Sequence, residues 1–459
     1  MKTRPVVQKS KQKKASGAAL RPLSVPESHS HTLPNGLKVT VVPRPQLPLT
    51  AARLTFRAGS AYDPADRHGA ADFSARLVRR GAAGITGDQL ADKIDFMAAT
   101  ISGWASEDQL GMVMGAPAKH LDATLELFAK MLTQPDYPDA EVELSRRRAL
   151  ASIANELDDP GSIAERALLR AQFGDHPYGH EVGGDTKDIK ALTRADLVAN
   201  HNRLSPGMGD LYLVGDVSLD SALLTVEKHL GSWKAEAVRL PEVPKWEGPA
   251  RKGQVIIVDK PEQTQVQVRL GARGIPRGHR DHFAVSVMNT VLGGSFTSRL
   301  VKEIRVRRGL TYGVGCHFDM MAAAGTFGLN SFTKTETAVE LVEIGLGEIA
   351  KMREKGPKAA EVESVQRYIC GLYPARLETN EALAGALSDV QFYGLPSDWI
   401  SQFRERISAV TVQQATEAAG AHLPSASDTV LVLVGNAEAL RKPFEKFGAV
   451  SVWKPSDLE

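Results

Sequence analysis

Two charged residues, Asp72 and Arg76, are four positions apart in a segment that favours a helix, so their side chains share one helix face. A carboxylate at such a position could bind a metal ion, but an arginine is a permanent cation without a free lone pair. Ala75, which lies between them, cannot transfer a proton. Because a catalytic zinc ion takes about three protein ligands, these residues alone predict an ion pair worth about a few tenths of a kcal/mol.

Two histidines, His176 and His180, form a second candidate pair with the same spacing. Pro177 and Gly179 between them predict a loop, so the argument from a shared helix face fails and a structural loop is favoured over a metal site. The segment Gly293-Gly294-Ser295 follows an apolar helix but lacks the lysine and the spacing of a phosphate-binding loop. The chain contains no G-x-S-x-G motif that would indicate a serine hydrolase.

Residues 68–84 resemble the zinc-binding segment of the pitrilysin/insulinase family of zinc peptidases, the inverzincins, which reads G-x-A-H-F-x-E-H-x-x-x-x-G. This chain retains the frame of the motif at Gly69, Ala71, Phe73 and Gly81. Asp72 and Arg76 occupy the two histidine positions, and Ala75 occupies the glutamate position. In the family motif two imidazoles bind zinc and the glutamate activates the metal-bound water. The resemblance therefore implies that this chain binds no metal and needs no cofactor of its own.

The third zinc ligand of the family is a glutamate from a helix roughly 80 residues further on. The matching positions in this chain are Ala151 or Ser152, and Glu156 lies one helical turn away. The simultaneous change at all ligand and base positions argues against an error of register. Two readings of Asp72 and Arg76 stay open: an ordinary surface ion pair, or a specific role in the replaced site.

A second segment, residues 295–312, resembles the family pattern S-R-L-x-x-x-(L/I)-R-x-x-x-G-L-x-Y. The resemblance implies catalytic roles for Arg305 and Tyr312. Attack of water on an amide builds negative charge on the carbonyl oxygen, and a fixed guanidinium and phenol can stabilise that charge and hold the peptide. The alternative is a solvated helix arginine and a tyrosine that begins a core strand. We expect Arg299 to form a structural ion pair and Arg307 and Arg308 to be solvated.

The elements around these residues occur twice. Residues 211–216 (LYLVGD) are echoed by residues 431–436 (LVLVGN), 220 positions later. The helical segment 118–132 has a counterpart at 335–352, and the segment 70–80 has one at 283–292. Such offsets indicate a diverged duplication. The alternation of strands and helices predicts an α+β fold with two homologous domains, each a mostly antiparallel sheet with helices on one face. The resemblance adds that they form half of a clam-shell chamber, which a second chain closes.

The predicted organisation has four parts. Residues 1–28 form a disordered basic tail that contains Lys9, Lys11, Lys13 and Lys14. Residues 29–236 form an N-terminal peptidase-like domain with the replaced zinc motif, and residues 237–252 form a proline-containing linker. Residues 253–459 form the C-terminal peptidase-like domain with the Arg/Tyr motif. Residues 101–108 resemble an edge strand, which could bind a peptide by strand addition.

Composition excludes several classes of protein. With 459 residues, 42% of them hydrophobic and 24% charged, the chain has the composition of a globular protein of more than one domain. A net charge of +2 gives no reason to expect nucleic acid, and no apolar run approaches the length of a membrane span. Cys316 and Cys370 are expected to be buried free thiols. No secretory h-region follows the basic tail, so we expect a cytoplasmic protein as written, or a periplasmic one if the start is mis-set or a leader was removed.

The sequence thus predicts the non-zinc subunit of a heterodimeric zinc metalloendopeptidase, inactive alone. Its partner would be of similar length and would carry H-x-x-E-H and the zinc ion, and peptides would be the substrates. The alternative is a catalytically inactive scaffold or peptide-binding module. A pure scaffold has no need of an intact Arg/Tyr motif, which favours the first hypothesis.

Overall fold

A computed structural model describes residues 23–236 and 238–459. The lysines of the predicted tail, at positions 9 to 14, lie outside the described residues. Residues 23–28 have no helix or strand, and Leu23 and Val25 pack against the apolar cores. The first strand begins at His29, so His29 and His31 lie in an edge strand.

The first domain is built around a six-stranded sheet with the order β1-β2-β8-β3-β7-β6. Its strands, with the small hairpin β4–β5, are β1 (His29–Thr32), β2 (Lys38–Pro43), β3 (Leu49–Phe56), β4 (Gly81–Ala82), β5 (Ile85–Thr86), β6 (Thr100–Ala105), β7 (Leu110–Pro117) and β8 (Asp210–Gly215). Its helices are α1 (Ala70–Leu77), α2 (Gly87–Phe96), α3 (Leu121–Thr133), α4 (Asp139–Asp158), α5 (Pro160–Phe173), α6 (Thr186–Ala191), α7 (Arg194–His201) and α8 (Leu219–Leu230).

The second domain repeats this plan with a sheet of the order β11-β12-β10-β13-β9-β14. Its strands are β9 (Gln254–Asp259), β10 (Gln265–Arg273), β11 (Val314–Met320), β12 (Gly325–Lys334), β13 (Val430–Gly435) and β14 (Ala449–Trp453). Its helices are α9 (His282–Leu292), a π-helix (Val301–Arg307), α10 (Ala338–Lys355), α11 (Ala359–Leu372), α12 (Asn380–Phe392), α13 (Phe403–Ser408), α14 (Val412–His422) and α15 (Ala437–Phe444).

The strand pairing confirms the predicted α+β fold and its duplication. Strands β8 and β13 contain the repeated Val-Gly sequence. Strand β8 pairs in parallel with β2, and β13 pairs in parallel with β9. The only other parallel pair of the two sheets, among the described residues, is β14 with β9, and the remaining pairs are antiparallel. The matched helices of the two copies are α1 with α9 and α3 with α10, as the sequence repeat predicts.

Alternating residues of the central strands divide each sheet into two apolar faces. In the first sheet Val39 and Leu213 face the domain's own helices, whereas Val42, Tyr212 and Val214 lie on the opposite face. That opposite face is covered by α12 of the second domain, through Leu383 and Ala384. The strands are apolar on both faces because both are buried.

The second sheet shows the reciprocal arrangement. Helix α5 of the first domain packs on β10 and β13, and its Ile163, Ala167 and Ala171 are fully buried against residues such as Ile256 and Val432. Each sheet therefore has its own helices on one face and a single helix from the other domain on the second face. The prediction from the sequence has helices on only one face of each sheet, so it does not include this exchange of α5 and α12.

The segment between the domains, described from residue 238, contains no helix or strand up to residue 252. Trp246 anchors it: the side chain is buried, and its indole N–H donates to the Gln172 carbonyl at 3.3 Å. Cys316 and Cys370 are free and buried. Among the described residues no helix combines the length and the apolar character that crossing a membrane requires.

Candidate functional site

Helix α1 carries the replaced motif, and its start is held by an acidic side chain. Gly69 precedes the helix with φ +92°, a left-handed conformation that favours glycine. The Asp63 carboxylate accepts hydrogen bonds from the backbone N–H groups of Gly69 at 2.8 Å and Ala71 at 2.9 Å. Burial raises the pKa of Asp63 to about 7, and these two amides oppose the shift. The N-terminus of α1 is thereby fixed beside the motif positions.

Asp72 and Arg76 form an ion pair in which one partner is buried and the other is not. Arg76 Nε donates to Asp72 Oδ1 at 2.7 Å, and the side chains are 71% and 4% exposed, respectively. Burial raises the pKa of Asp72, and Arg76 opposes the shift. Ala75 is buried and carries no protic group. A zinc ion does not fit these positions, because the one carboxylate is already bonded to a cation that cannot ligate.

The segment that supplies the third ligand in the family lies on α4. Ala151 and Ser152 are exposed there. The Ser152 hydroxyl donates to Glu156 Oε1 at 3.1 Å, and Glu156 Oε2 pairs with the Arg166 guanidinium at 3.0 Å. Glu156 is thus held in an ion pair with α5, which argues against the one-turn register shift that would make it a ligand.

His176 and His180 have separate partners. The Nε2 atom of His176 lies 2.8 Å from the Pro244 carbonyl, and its Nδ1 accepts a hydrogen bond from the Tyr178 backbone N–H at 3.1 Å. His180 instead stacks on His68, with ring centroids 3.8 Å apart and an interplanar angle of 7°. Burial lowers the pKa of both stacked histidines, so both favour the neutral form. The loop thus contacts the interdomain segment through His176 and the residue His68, close to the start of α1, through His180. These contacts are typical of a structural loop.

The edge strand β6 lies directly against the replaced motif. It is the terminal strand of the first sheet and, as Thr100–Ala105, overlaps the predicted range 101–108. Gly103 approaches α1 so closely that a Cβ atom there would lie 1.9 Å from the Ala75 carbonyl oxygen. One edge of β6 pairs with β7, so its backbone groups on the other edge are available for strand addition.

The Arg/Tyr motif begins in the π-helix of the second domain. Val301 and Ile304 anchor this helix in the core, and the backbone turns back after it through a hydrogen bond from the Leu310 N–H to the Ile304 carbonyl at 3.1 Å. Arg305 is half-buried, and Tyr312 is 82% exposed. Neither side chain has a hydrogen bond or an ion pair with any residue that the structure describes. Both polar groups are therefore available to an outside ligand.

The neighbouring arginines of the motif have intramolecular partners. Arg299 forms a two-point ion pair with Glu361, at 3.0 and 2.6 Å, which agrees with the structural role predicted for it. Arg307 pairs with Glu303 at 2.8 Å, and Arg308 pairs with Glu303 and with Glu340. These two side chains are largely at the surface, so they are solvated as well as paired.

Two features near the motifs were not predicted. The Arg305 guanidinium lies over the ring of Phe296, 4.6 Å from its centroid, and Phe296 is 73% exposed. The sequence feature that could have indicated this contact is the aromatic Phe296 directly after Gly293-Gly294-Ser295. A cavity of about 1010 Å³ also lies between the two domains. The buried Asp108 at its wall accepts hydrogen bonds from the Tyr178 hydroxyl and, at 2.8 Å, from the Ala322 N–H of the second domain.

Two family models match consecutive parts of this chain. The family described as insulinase (peptidase family M16) matches residues 38–186, and the family described as the peptidase M16 inactive domain matches residues 191–369. The two matches follow each other along the chain and together span most of it. The chain belongs to peptidase family M16.

Relatives within M16 extend over nearly the whole chain. An uncharacterized zinc protease from Mycobacterium leprae is 26% identical over 384 residues, which are 83% of this chain and 86% of that protein. A protein from Helicobacter pylori described as a non-peptidase homolog is 23% identical over 397 residues, or 85% of this chain and 90% of that protein.

A solved M16 structure has the same architecture. The structure of a peptidase M16 inactive domain from Pseudomonas fluorescens superimposes with a TM-score of 0.82 at 28% identity, over 89% of this chain and 98% of that one. A protease structure from Helicobacter pylori superimposes with a TM-score of 0.81 at 19% identity, over 89% of this chain and 100% of that one, and shows the shared fold. This chain is thus a peptidase-like M16 protein. The residues at its predicted zinc-motif positions, Asp72, Ala75 and Arg76, lack the donors of the motif.

Proposed function

We propose that this chain is the non-zinc subunit of a heterodimeric zinc metalloendopeptidase. In this proposal it supplies Arg305, Tyr312 and half of the peptide-binding chamber to a partner that carries H-x-x-E-H. The observation that carries the proposal is the contrast between the two motifs. Asp72 and Arg76 form an ion pair with each other, whereas Arg305 and Tyr312 have no hydrogen-bond or ion-pair partner among the described residues.

The chemistry of the two free groups suits the transition state of amide hydrolysis. As water adds to the scissile carbonyl, negative charge develops on its oxygen. The Arg305 guanidinium and the Tyr312 hydroxyl are both donors and can stabilise that charge, in the manner of an oxyanion hole. The ring of Phe296 against the guanidinium restricts its orientation without neutralising it. Arg305 is therefore held in position while its N–H groups stay free for substrate.

Metal chemistry would belong to the partner in this proposal. Zinc bound to the partner would polarise the carbonyl and activate water. The replaced motif of this chain would contribute surface alone: α1 and the adjoining edge strand β6 could line the chamber and bind a peptide backbone.

The test is reconstitution with an M16 chain of similar length that carries H-x-x-E-H. We expect co-expression to yield a one-to-one complex on size exclusion, with an interface above ~2,000 Å². We expect the complex to cleave a fluorogenic peptide and each subunit alone to be nearly inactive. Full activity of the partner alone would refute the shared site, and absence of a complex would refute the heterodimer.

A second candidate function is a catalytically inactive scaffold or peptide-binding module. It is favoured by the relative from Helicobacter pylori, which is described as a non-peptidase homolog. The free edge of β6 would then bind peptides without cleaving them. This candidate predicts peptide binding by the isolated chain that Arg305→Ala leaves unchanged, whereas the subunit proposal predicts loss of turnover in the complex from the same substitution.

A further inference from the structure

A group of metal-ligating side chains lies in the second domain, away from both motifs. His279 and Asp281 are in the turn that leads into α9, and His422 is the last residue of α14. Helices α9 and α14 pack against each other, so residues more than 140 positions apart in the chain meet at one end of that contact. Among the described residues this is the only group of three or more such side chains whose ligand atoms lie within 4.8 Å of one another.

The distances suit one bound ion. Asp281 Oδ2 lies 2.8 Å from His422 Nε2 and 3.8 Å from His279 Nδ1. The two imidazole centroids are 5.0 Å apart, and the rings are nearly perpendicular. With metal–ligand bonds of about 2.0–2.2 Å, ligand atoms around one zinc ion are about 3–4 Å apart. Small side-chain rotations would therefore complete the coordination.

The surroundings of Asp281 and His279 are compatible with the geometry of a metal site. Asp281 occupies the position that caps α9, yet its carboxylate makes no hydrogen bond to that helix and turns to His422 instead. This hydrogen bond is the main cause that lowers the pKa of Asp281. Burial, followed by the charge of His422, lowers the pKa of His279 and favours its neutral imidazole.

We propose that His279, Asp281 and His422 bind a divalent transition-metal ion of the zinc class, which links the start of α9 to the end of α14. Two imidazoles and one carboxylate are a ligand set that zinc accepts, with a fourth position open to water. Binding would replace the His422–Asp281 hydrogen bond and the 3.2 Å contact from the Asp281 N–H to His279 Nδ1. Neutral His422 would then carry its proton on Nδ1 and bind the ion through Nε2.

One neighbouring cation opposes the site. Arg280 Nε lies 3.7 Å from the other oxygen of Asp281, but its side chain is 90% exposed, so water screens it and it can rotate away. The proposal is independent of the proposed peptidase function. It departs from the expectation that this chain binds no metal, which was drawn from the replaced motif on α1 alone.

The test is zinc binding by the full chain after removal of metal with a chelator. We expect about one equivalent of zinc to bind in a competition titration with a chromophoric indicator, and zinc to raise the Tm. Cobalt should give the visible spectrum of a site with nitrogen and oxygen ligands. His422→Gln keeps a donor to Asp281 but removes the ligand nitrogen, so we expect affinity to fall at least about 100-fold. His279→Gln should have a similar effect, and it leaves the contact between α9 and α14 intact.

Matched controls come from a histidine–aspartate pair that lacks a third ligand. His317 Nε2 lies 3.3 Å from Asp319 Oδ2 in the same domain, so His317→Gln should leave zinc binding unchanged. Asp72→Ala should also leave it unchanged. Absence of zinc binding by a folded chain would overturn the proposal. Zinc retained in both His279→Gln and His422→Gln, or lost in Asp72→Ala, would overturn it as well.

Discussion

The Arg76 guanidinium covers a carboxylate that has almost no contact with water. Asp72 has no hydrogen bond besides the one from Arg76 among the described residues, and its side chain is 4% exposed. The pair is therefore unlike a surface ion pair in which both partners are solvated. The contribution of the pair to stability therefore depends on the cost of leaving the Asp72 carboxylate buried without the Arg76 cation.

We predict that Arg76→Ala destabilises the chain by about 1–3 kcal/mol, the range for a buried polar group left without a partner. Replacing both residues by alanine should cost less than Arg76→Ala alone, because no buried carboxylate then remains. Urea unfolding of the single and double variants measures these changes in the free energy of unfolding. Arg79→Ala is the control, since Arg79 is exposed and has no ion pair with described residues. Equal effects of Arg76→Ala and Arg79→Ala would mean that the pair contributes nothing specific.

We predict that Arg305→Ala and Tyr312→Phe each lower kcat of the reconstituted enzyme by about 10²–10³, the usual loss for one oxyanion donor. Assembly and zinc content should not change, because neither side chain has a hydrogen bond or an ion pair with the described residues. Arg305→Lys should restore little activity, since a point charge does not reproduce a planar fork of donors. The measurement is kcat and KM for each variant beside its elution volume.

Arg307→Ala serves as the control for these variants. The Arg307 side chain is 72% exposed. The substitution removes its i,i+4 ion pair with Glu303, which is worth about a few tenths of a kcal/mol. The kcat of the complex that contains Arg307→Ala should stay near that of the complex with the unchanged chain. A kcat near the parent value in both Arg305→Ala and Tyr312→Phe would exclude the catalytic assignment, and loss of the complex in either would mean that the residue acts in assembly.

Individual site residues could be predicted where they stand close together in the chain. The segment 68–84 retains the frame of its family pattern and the segment 295–312 matches its pattern throughout, so the candidate positions in both could be named without coordinates. The group of His279, Asp281 and His422 could not be predicted, because packing of α9 on α14 brings its members together. The cation–π contact of Arg305 with Phe296 depends in the same way on the turn between them.

At the scale of elements, α1 and β6 can lie close together because Gly103 of β6 has no side chain. A Cβ atom at Gly103 would lie 1.9 Å from the Ala75 carbonyl oxygen, so backbone has to move to accept it. The edge strand and the motif helix are therefore in closer contact than any other residue at this position would allow.

We predict that Gly103→Ala destabilises the chain by about 1–3 kcal/mol, as overpacking does in a close-packed region. It should also weaken any peptide binding along β6, because the strand has to shift. Gly347→Ala is the matched control: it lies in α10 with no atom near its added methyl group, and should stabilise by about 0.5–1 kcal/mol. Thermal unfolding compares the two variants. A neutral Gly103→Ala would mean that β6 is free to move away from α1.

The periodic elements were predictable from their patterns, and the irregular one was not. The repeated apolar strand and the matched helices follow from hydrophobic periodicity, and the structure has them at nearly the predicted positions. The π-helix at Val301–Arg307 has no sequence signal that separates it from an ordinary helix. Its wider turn nevertheless decides where Arg305 lies, so the geometry of the second motif could not be derived from spacing.

The whole molecule depends on the exchange of α5 and α12, which the repeat in the sequence does not reveal. Apolar residues on both faces of β8 and β13 indicate burial on both sides, but not which helix covers each face. Two self-contained domains joined by a linker would have the same sequence pattern. The exchange makes the stability of each domain depend on the other.

We predict that Leu383→Ala, in the second domain, destabilises the first domain as well. Leu383 is 2% exposed and packs with Val42, Tyr212 and Val214, so a loss of about 2–5 kcal/mol is expected. Hydrogen exchange should show lower protection of β8 and α12 together, and unfolding should remain a single transition. Leu224→Ala, at a residue of α8 that is 69% exposed, should change stability by less than about 0.5 kcal/mol. Loss of protection confined to the second domain would contradict the coupling.

The same exchange limits how the chain can move. Separating the two sheets would pull α5 and α12 from apolar faces at the same time, and each face would then meet water. Hinge motion between the two domains would therefore cost the burial of both faces, which favours motion of the described domains as one body. A chamber built from two such chains could admit a substrate only when one chain tilts against the other, so the speed of that opening would be set at the contact between subunits.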